Sequence, residues 1–306
     1  MKKNQLSILI PAYNSQCCRL VRDLYDDAIA AGLKAFEIVV AEDGSDDIEI
    51  LRQHKQAFRQ LPSVRYIVRQ ENVGRSAIRN FLAQEARYEW LLFIDSHMSF
   101  TAASLCDKGS FLRSYLSVEG ELLYGGYVVE ASDNRWRTFL RFRYEKASAN
   151  INVQHFGRCG ASNDFSHFHT ANFLIRRDIM LAHPFDEKLY RYGYEDDLFG
   201  RELSEMGLSL VRVDNPLTFT TFEENAVFVN KTEQALITLH ELAGRMEGFS
   251  RLLVWCKKME RWHLVTPYLY IYRWRKEKWR ATLCGDSPSL LIFQLYKLGF
   301  FLSLSR

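Results

Sequence analysis

The stretch Trp90-Leu91-Leu92-Phe93-Ile94-Asp95-Ser96-His97 decides how the fold of this chain is interpreted. Its continuous apolar run predicts a strand that is buried on both faces. Asp95 and His97 follow at the carboxyl end of that strand, where open α/β sheets bind their ligands. Residues two apart on an extended chain point the same way, so this carboxylate and imidazole suit one divalent cation. The alternative is a loop with a capping Asp95 and an exposed His97.

The composition is that of an ordinary globular protein, with 47% hydrophobic and 25% charged residues in a chain of 306. A net charge of +3 gives no reason to expect a nucleic-acid partner. The six cysteines form neither a zinc pattern nor a disulfide framework, which favours reduced thiols in a cytosol. We find no signal peptide and no run of the ~18 apolar residues that a membrane span needs, so we expect a cytoplasmic protein.

Strand and helix predictions alternate through the first hundred residues. The predicted strands are 6–10, 36–41, 64–68 and 90–94, and the predicted helices are 19–31, 48–60 and 77–86. This alternation predicts a mostly parallel, doubly wound sheet with helices on both faces and right-handed crossovers. Polar clusters follow the strands and should converge at one edge of the sheet. The clusters are marked by Tyr13, Asp43, Arg75 and Asp95 with His97.

The segment after the first strand excludes two familiar nucleotide-binding loops. Pro11-Ala12-Tyr13-Asn14 carries neither a dinucleotide fingerprint nor a phosphate loop, and we expect Pro11 to end the strand. A nucleotidyltransferase on a related sheet would need a glycine-rich, basic loop at this place. The sequence therefore disfavours that class of enzyme.

The middle of the chain is less regular. We predict one strand with a glycine bend at 122–129, a basic and aromatic helix at 135–150, and another strand at 168–175. Glu195-Asp196-Asp197 opens a predicted helix, where the macrodipole favours negative charge. Capping does not need three adjacent acids, and packed carboxylates can leave one with a raised pKa that suits a general base.

The C-terminal part, from Glu233, is predicted to be mostly helical and is rich in Trp, Tyr, Lys and Arg. Two interpretations stay open for these helices. They pack on the core and expose a basic face, or they lie on an anionic membrane surface, which would be the inner face of the cell membrane.

Five motifs, in this order and at this spacing, resemble those of family 2 glycosyltransferases of the GT-A fold. They are Ile10–Asn14, Glu42–Asp46, Asn72–Arg75, Asp95–His97 and Gly193–Asp197. The resemblance implies a GT-A domain at 1–225, with a donor half at about 1–100 and an acceptor half at about 101–225. A helical region would follow at 226–306. It also implies a nucleotide-sugar donor and a glycan or lipid-linked glycan acceptor in bacterial polysaccharide biosynthesis.

The resemblance also implies roles for donor-side residues. Tyr13 matches the aromatic ring that lies against the donor base. Asp43 matches the acid that hydrogen-bonds the uracil edge, which is the reason to expect a UDP-sugar. The expected donor-binding residues are Pro11, Tyr13, Asp43, Arg75, Arg79 and Asp95.

On the acceptor side, Asp196 matches the general base of inverting members of the family. Glu195, directly before it, and Asn172 are acceptor-side candidates. A positioned carboxylate takes the proton that the acceptor hydroxyl loses as it attacks the anomeric carbon.

Asp95 and His97 match the two ends of the family's Asp-x-Asp, whose second position usually ligates Mn²⁺ or Mg²⁺. A nitrogen ligand at 97 shifts the expected preference towards Mn²⁺. The His that many bacterial members carry after Asn-Pro is missing from 214–220, so the third ligand is open, with His167 and His169 as candidates.

Two functions of different classes follow. The first is an inverting, metal-assisted glycosyltransferase. The second is a protein that binds nucleotide-sugar or glycan on the same fold without turnover, which the missing third ligand keeps open. Asp196 discriminates between them, because a binding module has no need of a base.

Overall fold

The computed structural model of the chain describes residues 3–130, 134–156, 160–162, 164–165 and 168–304. The chain divides into two compact units. Unit 1 comprises 1–130, 152–190 and 199–220, and unit 2 comprises 131–151, 191–198 and 221–306. The expected domain boundary at residue 225 stays a prediction.

The described strands belong to unit 1. In chain order β1 to β11 are Gln5–Ala12, Ala35–Asp43, Val64–Arg69, Trp90–Ile94, Met98–Phe100, Leu122–Tyr124, Tyr127–Val129, Gly160–Ser162, Asn172–Arg176, Leu210–Arg212 and Leu217–Phe219. The helices α1 to α12 are Cys18–Ala30, Ile48–Phe58, Arg75–Glu85, Ala102–Cys106, Ser110–Ser117, Leu140–Phe156, Arg177–Ala182, Glu195–Glu205, Asn225–Glu241, Arg251–Arg261, Val265–Cys284 and Leu290–Leu304. A short 3-10 helix, Asn134–Thr138, precedes α6.

The main sheet has the strand order β3-β2-β1-β4-β9-β6-β10-β8. β1, β2, β3 and β4 pair in parallel, as the alternation of strands and helices predicts. β9 runs antiparallel to both of its neighbours, β4 and β6. The predicted α/β class with a mostly parallel central sheet is confirmed, and β9 and the edge strand β8 run against the direction of the other described strands of this sheet.

The four parallel strands lie where the hydrophobic pattern places them, and in β1, β2 and β4 the apolar runs are buried on both faces, whereas Val68 of β3 is 51% exposed. Every residue of β4 is buried, and so is β1 from Leu6 to Ile10. Pro11 corrects one expectation, since it lies inside β1, opposite Ala41 of β2. β4 pairs with β1 only as far as Leu9, so no strand on that side needs the N–H that proline lacks.

Gly125 and Gly126 correct the prediction of a single bent strand at 122–129. The chain leaves the main sheet after β6 and enters a second, three-stranded sheet of order β5-β11-β7. Gly126 has a φ of +69°. A Cβ on Gly125 would come within 2.2 Å of the Tyr115 hydroxyl and 2.6 Å of the Asn172 amide nitrogen. Two glycines are therefore needed for the chain to pass from one sheet to the other.

Unit 2 is built from helices, with α9, α11 and α12 packed against one another. The mostly helical C-terminal part was predicted, although α9 begins at Asn225, earlier than expected. Among the described residues, no helix is long and apolar enough to cross a membrane.

A largely buried ion pair joins the start of α6 to the segment that leads into α9. The Arg141 guanidinium donates to the Glu223 carboxylate, and Lys231 Nζ donates to its other oxygen at 2.8 Å. Burial would raise the pKa of Glu223, but the positive charges of Arg141 and Lys231 hold it at about 2. The pair is therefore ionised at neutral pH, as a buried charge pair must be to offset its desolvation.

Gly299 provides a test of the packing between α11 and α12. The Tyr272 ring is buried against Gly299, and a Cβ there would lie 2.1 Å from the ring. We expect Gly299→Ala to lower the free energy of unfolding by about 1–3 kcal/mol, because the ring has to leave its place.

Urea unfolding followed by far-UV circular dichroism measures this loss. Gly244→Ala is the matched control, since a Cβ at Gly244 meets nothing within 4 Å. Its stability should stay within about 0.5 kcal/mol of the wild type. Equal stability of the two variants would contradict the packing described here.

Candidate active site

The carboxyl ends of the parallel strands carry the polar residues that the sequence singled out. Asp43 ends β2, Tyr13 follows β1 and Asp95 follows β4. Because β1, β2 and β4 are parallel neighbours, these ends meet at one edge of the main sheet.

Asp43 holds the loop after β3 against the end of β2. Its carboxylate accepts hydrogen bonds from the backbone N–H groups of Val73, at 2.9 Å, and Gly74, at 3.0 Å. Burial raises the pKa of Asp43, and these amide donors oppose the rise. The loop can approach this closely because Gly44 has no side chain, and a Cβ there would lie 2.3 Å from the Asn72 nitrogen.

Gly74 and Arg75 form the start of α3. Gly74 has a φ of +89°, which favours glycine, and it is the N-cap of the helix. Arg75 is exposed at the first helical position. Asp43 thus fixes where α3 begins, and it fixes Arg75 with it.

Tyr13 is 51% exposed at the end of β1, so its ring is available to a planar ligand. The residue after it is locked in place. Asn14 has a φ of +46°, and its side-chain oxygen accepts the N–H groups of Asp46 and Asp47, both at 3.1 Å. The loops after β1 and β2 are therefore joined by one asparagine side chain, which holds the backbone beside Tyr13.

Asp95 is paired with Arg79. The Arg79 guanidinium donates to Asp95 Oδ1 at 2.8 Å. The Arg79 side chain is 3% exposed and the Asp95 side chain is 17% exposed. Burial would raise the pKa of Asp95, but the positive charges of Arg79 and Arg75 and the neighbouring His97 hold it below its ordinary value. Asp95 is therefore a carboxylate surrounded by cationic groups. Arg79, expected beside the donor, is committed to orienting Asp95.

His97 corrects the geometric argument made from the sequence. The chain is not extended after β4, because the Met98 N–H donates to the Asp95 carbonyl at 3.1 Å and closes a turn. Alternation along a strand does not apply within such a turn. The His97 ring is half-buried and packs edge-on against Phe219 with 4.7 Å between centroids, while its carbonyl accepts from the Thr220 hydroxyl.

Asp95 and His97 lie in one turn and offer a carboxylate and an imidazole, two donor types that divalent cations accept. In the part of the chain that the structure describes, no group of three or more His, Cys, Asp and Glu is arranged to hold a metal ion. One carboxylate and one imidazole suit a cation whose other positions are taken by diphosphate oxygens and water. Of the two third-ligand candidates, His167 lies outside the described residues, and the His169 ring lies 5.7 Å from that of Tyr127.

The Asn172 side chain is buried and hydrogen-bonded within unit 1. It is fully buried, and its amide nitrogen donates to the carbonyls of Gly126, at 3.0 Å, and Asn215, at 2.9 Å. Its side-chain oxygen accepts the Tyr115 hydroxyl at 2.7 Å. Because these bonds use both of its donors and its acceptor inside unit 1, the contacts favour a role in joining β9 to its neighbours over the acceptor-side role expected from the sequence.

The acidic run 195–197 forms the first turn of α8, as predicted, and belongs to unit 2. Asp196 Oδ1 accepts the N–H of Asp197 at 2.9 Å, so a backbone amide orients this carboxylate. Glu195 is buried. Acids at this end of a helix are favoured by its positive pole.

The residue before this turn has an unusual backbone. Tyr194 has a φ of +66°, a conformation that is rare and strained for a bulky side chain. Its neighbour Gly193 has a φ of +96°, and a Cβ there would lie 2.5 Å from the Ala235 Cβ. Burial raises the pKa of Tyr194, and the charges of Asp197 and Asp196 add to the rise. Strain of this kind is common where a chain presents functional side chains.

Sequence reasoning missed a buried network behind Asp43. Glu42 and His54 are both fully buried, and His54 Nδ1 lies 2.7 Å from Glu42 Oε1. His54 Nε2 accepts the Cys17 N–H at 3.1 Å, which leaves Nδ1 to donate to Glu42. The Tyr66 hydroxyl donates to the same carboxylate oxygen at 3.2 Å. The signal that could have found it is a histidine on the apolar side of α2, four residues before Phe58.

Comparisons with known proteins give a family match for part of the chain and a shared fold for most of it. Residues 7–114 match the model of glycosyl transferase family 2. No curated protein matches the chain in sequence. The match covers β1 to β4 and the loops that follow them, which carry the donor-side candidates.

Three solved structures share the fold. TarS 1-349 of S. aureus in complex with UDP has 16% sequence identity and a TM-score of 0.52 over 77% of this chain and 65% of that chain. The same fragment in complex with UDP-GlcNAc has 16% sequence identity and a TM-score of 0.53, over 98% of this chain and 88% of that chain. The mannosyltransferase PcManGT of Pyrobaculum calidifontis, in complex with GDP-Man and Mn²⁺, has 15% sequence identity and a TM-score of 0.53. The alignment covers 98% of this chain and 80% of that chain.

In the first of these alignments the chain spans less than two thirds of the TarS fragment. At identities this low, the structural similarity establishes a shared fold only. It does not identify the donor or the acceptor of this chain. Residues 7–114 are therefore similar to glycosyl transferase family 2, and the chain shares the GT-A fold of these solved structures.

Proposed function

We propose that the protein transfers a sugar from a UDP-sugar to an acceptor hydroxyl with inversion, assisted by Mn²⁺ or Mg²⁺. The observation that carries the proposal is the cluster at the ends of β1, β2 and β4. There an exposed tyrosine, a loop-binding aspartate and a carboxylate among cationic groups follow adjacent parallel strands.

The proposed donor site divides into a base part and a diphosphate part. Tyr13 stacks on the uracil ring, and Asp43 accepts its N–H while also holding the amides of Val73 and Gly74. A carboxylate has about four lone-pair positions, so these two amides leave acceptor capacity. An acceptor suits the N3–H of uracil, but guanine also presents N–H donors, so the choice of UDP rests on the resemblance of Asp43 to the family's uracil-binding acid.

The diphosphate part uses positive charge. Arg75 lies at the first position of α3, where the helix pole adds to its own charge, and the charges of Arg75 and Asp95 interact. Arg79 orients Asp95. Asp95 and His97 would hold the cation, which when bound supplies positive charge against which the nucleoside diphosphate leaves.

Asp196 is the proposed general base. Its Oδ1 is oriented by the Asp197 N–H, and a carboxylate in that position can take the proton from an attacking acceptor hydroxyl. We propose a glycan or lipid-linked glycan of bacterial polysaccharide biosynthesis as the acceptor, an inference that rests on the family resemblance.

The base assignment predicts a selective loss of chemistry. Asp196→Asn should lower the rate of nucleotide release from the sugar donor by about 10²- to 10⁴-fold, because the amide cannot accept the proton. Its affinity for UDP should stay unchanged. Donor turnover and calorimetric titration with UDP measure the two effects.

Asp197→Asn is the matched control, because it removes one charge from the same helical turn. This variant should retain most of the turnover. The assignment of Asp196 as base fails if both variants lose turnover equally, or if Asp196→Asn loses UDP affinity instead.

The metal assignment predicts a loss of coupling at His97. Mn²⁺ should tighten UDP binding to the wild type by about 5- to 150-fold, the usual range for coupled ligands. His97→Ala should bind UDP without Mn²⁺ as the wild type does, and Mn²⁺ should no longer tighten it. Titration calorimetry with and without the ion measures both.

His183→Ala is the control for this experiment, since His183 is exposed at the end of α7 and has no assigned role. It should keep the full effect of Mn²⁺. Tighter UDP binding with Mn²⁺ in His97→Ala would show that the cation is held elsewhere.

A further inference from the structure

Positive charge is concentrated in one part of unit 2. Residues 251–280 contain nine Lys or Arg and two Glu, whereas the whole chain has a net charge of only +3. The rest of the chain is therefore net negative. The basic segment coincides with α10 and most of α11, two helices that also carry four exposed aromatic rings.

α11 is buried along its inner face and carries exposed aromatic rings on its outer face. Its inner face is buried at Val265, Leu269, Tyr272 and Leu283. Its outer face carries Tyr270 and Trp274, which are one helical turn apart and 79% and 72% exposed, followed one turn later by the exposed Lys278. The inner face explains why the helix packs, and it leaves the outer aromatic rings without a role in the core.

α10 and the residue that caps it repeat this arrangement. The inner face is buried at Leu253 and Cys256. Trp255 and Trp262, seven residues apart, are 55% and 59% exposed, and the exposed Lys258 lies between them on the same stripe. Two successive helices therefore each present tryptophan and lysine on the face that the core does not use.

Cations accompany the exposed rings closely. Lys258 Nζ lies 5.0 Å from the centre of the Trp255 ring, and the Arg275 guanidinium lies 4.3 Å from that of Trp274. Exposed apolar patches of this kind mark interaction sites. Aromatic rings mixed with Lys and Arg match the water–lipid boundary, where the rings enter the headgroup layer and the cations meet anionic lipids.

We propose that the outer surface of α10 and α11 binds the protein to an anionic lipid membrane. We call it the α10–α11 surface and define it by Trp255, Lys258, Trp262, Tyr270, Trp274 and Lys278. The membrane proposal does not depend on the proposed chemistry. A second copy of the chain fits less well, since a twofold contact would place this basic surface against itself.

Vesicle flotation with the full chain tests the proposal. The protein should float with vesicles of phosphatidylcholine and phosphatidylglycerol and much less with phosphatidylcholine alone. Salt should release it, because the Debye length shrinks to about 3 Å at 1 M. Equal binding to both vesicle types, or binding to neither, would overturn the proposal.

Paired variants separate the two contributions. Lys258→Gln with Lys278→Gln should lower partitioning into anionic vesicles on the order of 25-fold, about fivefold for each charge. Trp255→Ala with Trp274→Ala should lower it by at least about tenfold, since each ring loses its apolar contact. Alanine is a better helix former than tryptophan, so these helices should remain folded, and circular dichroism checks this.

The controls carry the same changes elsewhere. Arg52→Gln with Arg87→Gln removes two charges from unit 1, and Ile29→Ala removes an exposed apolar side chain from α1. These variants should partition as the wild type does. Equal losses in controls and test variants would contradict a dedicated surface. So would a concentration-dependent dimer in sedimentation that the tryptophan variant abolishes while vesicle binding persists.

Discussion

The ion pair between Arg79 and Asp95 is the interaction on which the rest of the candidate site depends. It joins α3 to the end of β4 and keeps a largely buried carboxylate ionised. An unpaired carboxylate there would take up a proton, and it would then be a poor ligand for any cation. The second connection to α3 is Asp43, which holds the helix start through the amides of Val73 and Gly74. Asp43 therefore holds the start of α3 and Asp95 holds Arg79 one turn later, and together they position Arg75.

Much of the parallel half of unit 1 could be predicted from the sequence, because apolar runs and turn residues give local signals. The predicted strand at 90–94 is the observed β4, and the predicted helix at 48–60 begins at Ile48 as α2 does. The strands after β4 were harder, since most have three residues and are defined by partners far away in the chain. Gly125 illustrates this difficulty. Its requirement comes from Tyr115 and Asn172, which no local pattern connects to it.

The sequence indicated which residues belong to the candidate site, but it did not predict how their side chains and backbone are arranged. The motif residues at the strand ends were identified, but the turn that closes between Asp95 and Met98 was not, because a two-residue spacing does not distinguish a strand from a turn. Asn172 was an acceptor-side candidate in the sequence and is buried, with its amide joined to three partners. The Glu42–His54 pair was invisible because its members are twelve residues apart on different elements. Such buried polar pairs depend on tertiary placement and support the loops beside Tyr13 and Asp43.

Calorimetric titration of the wild-type protein with UDP and with GDP tests the proposed uracil-selective donor site most directly. Asp43 resembles the family's uracil-binding acid and Tyr13 offers an exposed ring, so UDP should bind, more tightly in the presence of Mn²⁺, and GDP should bind far more weakly. Equal binding of the two nucleotides would contradict the role of Asp43. No binding of either would contradict a nucleotide-sugar donor at the carboxyl ends of β1, β2 and β4.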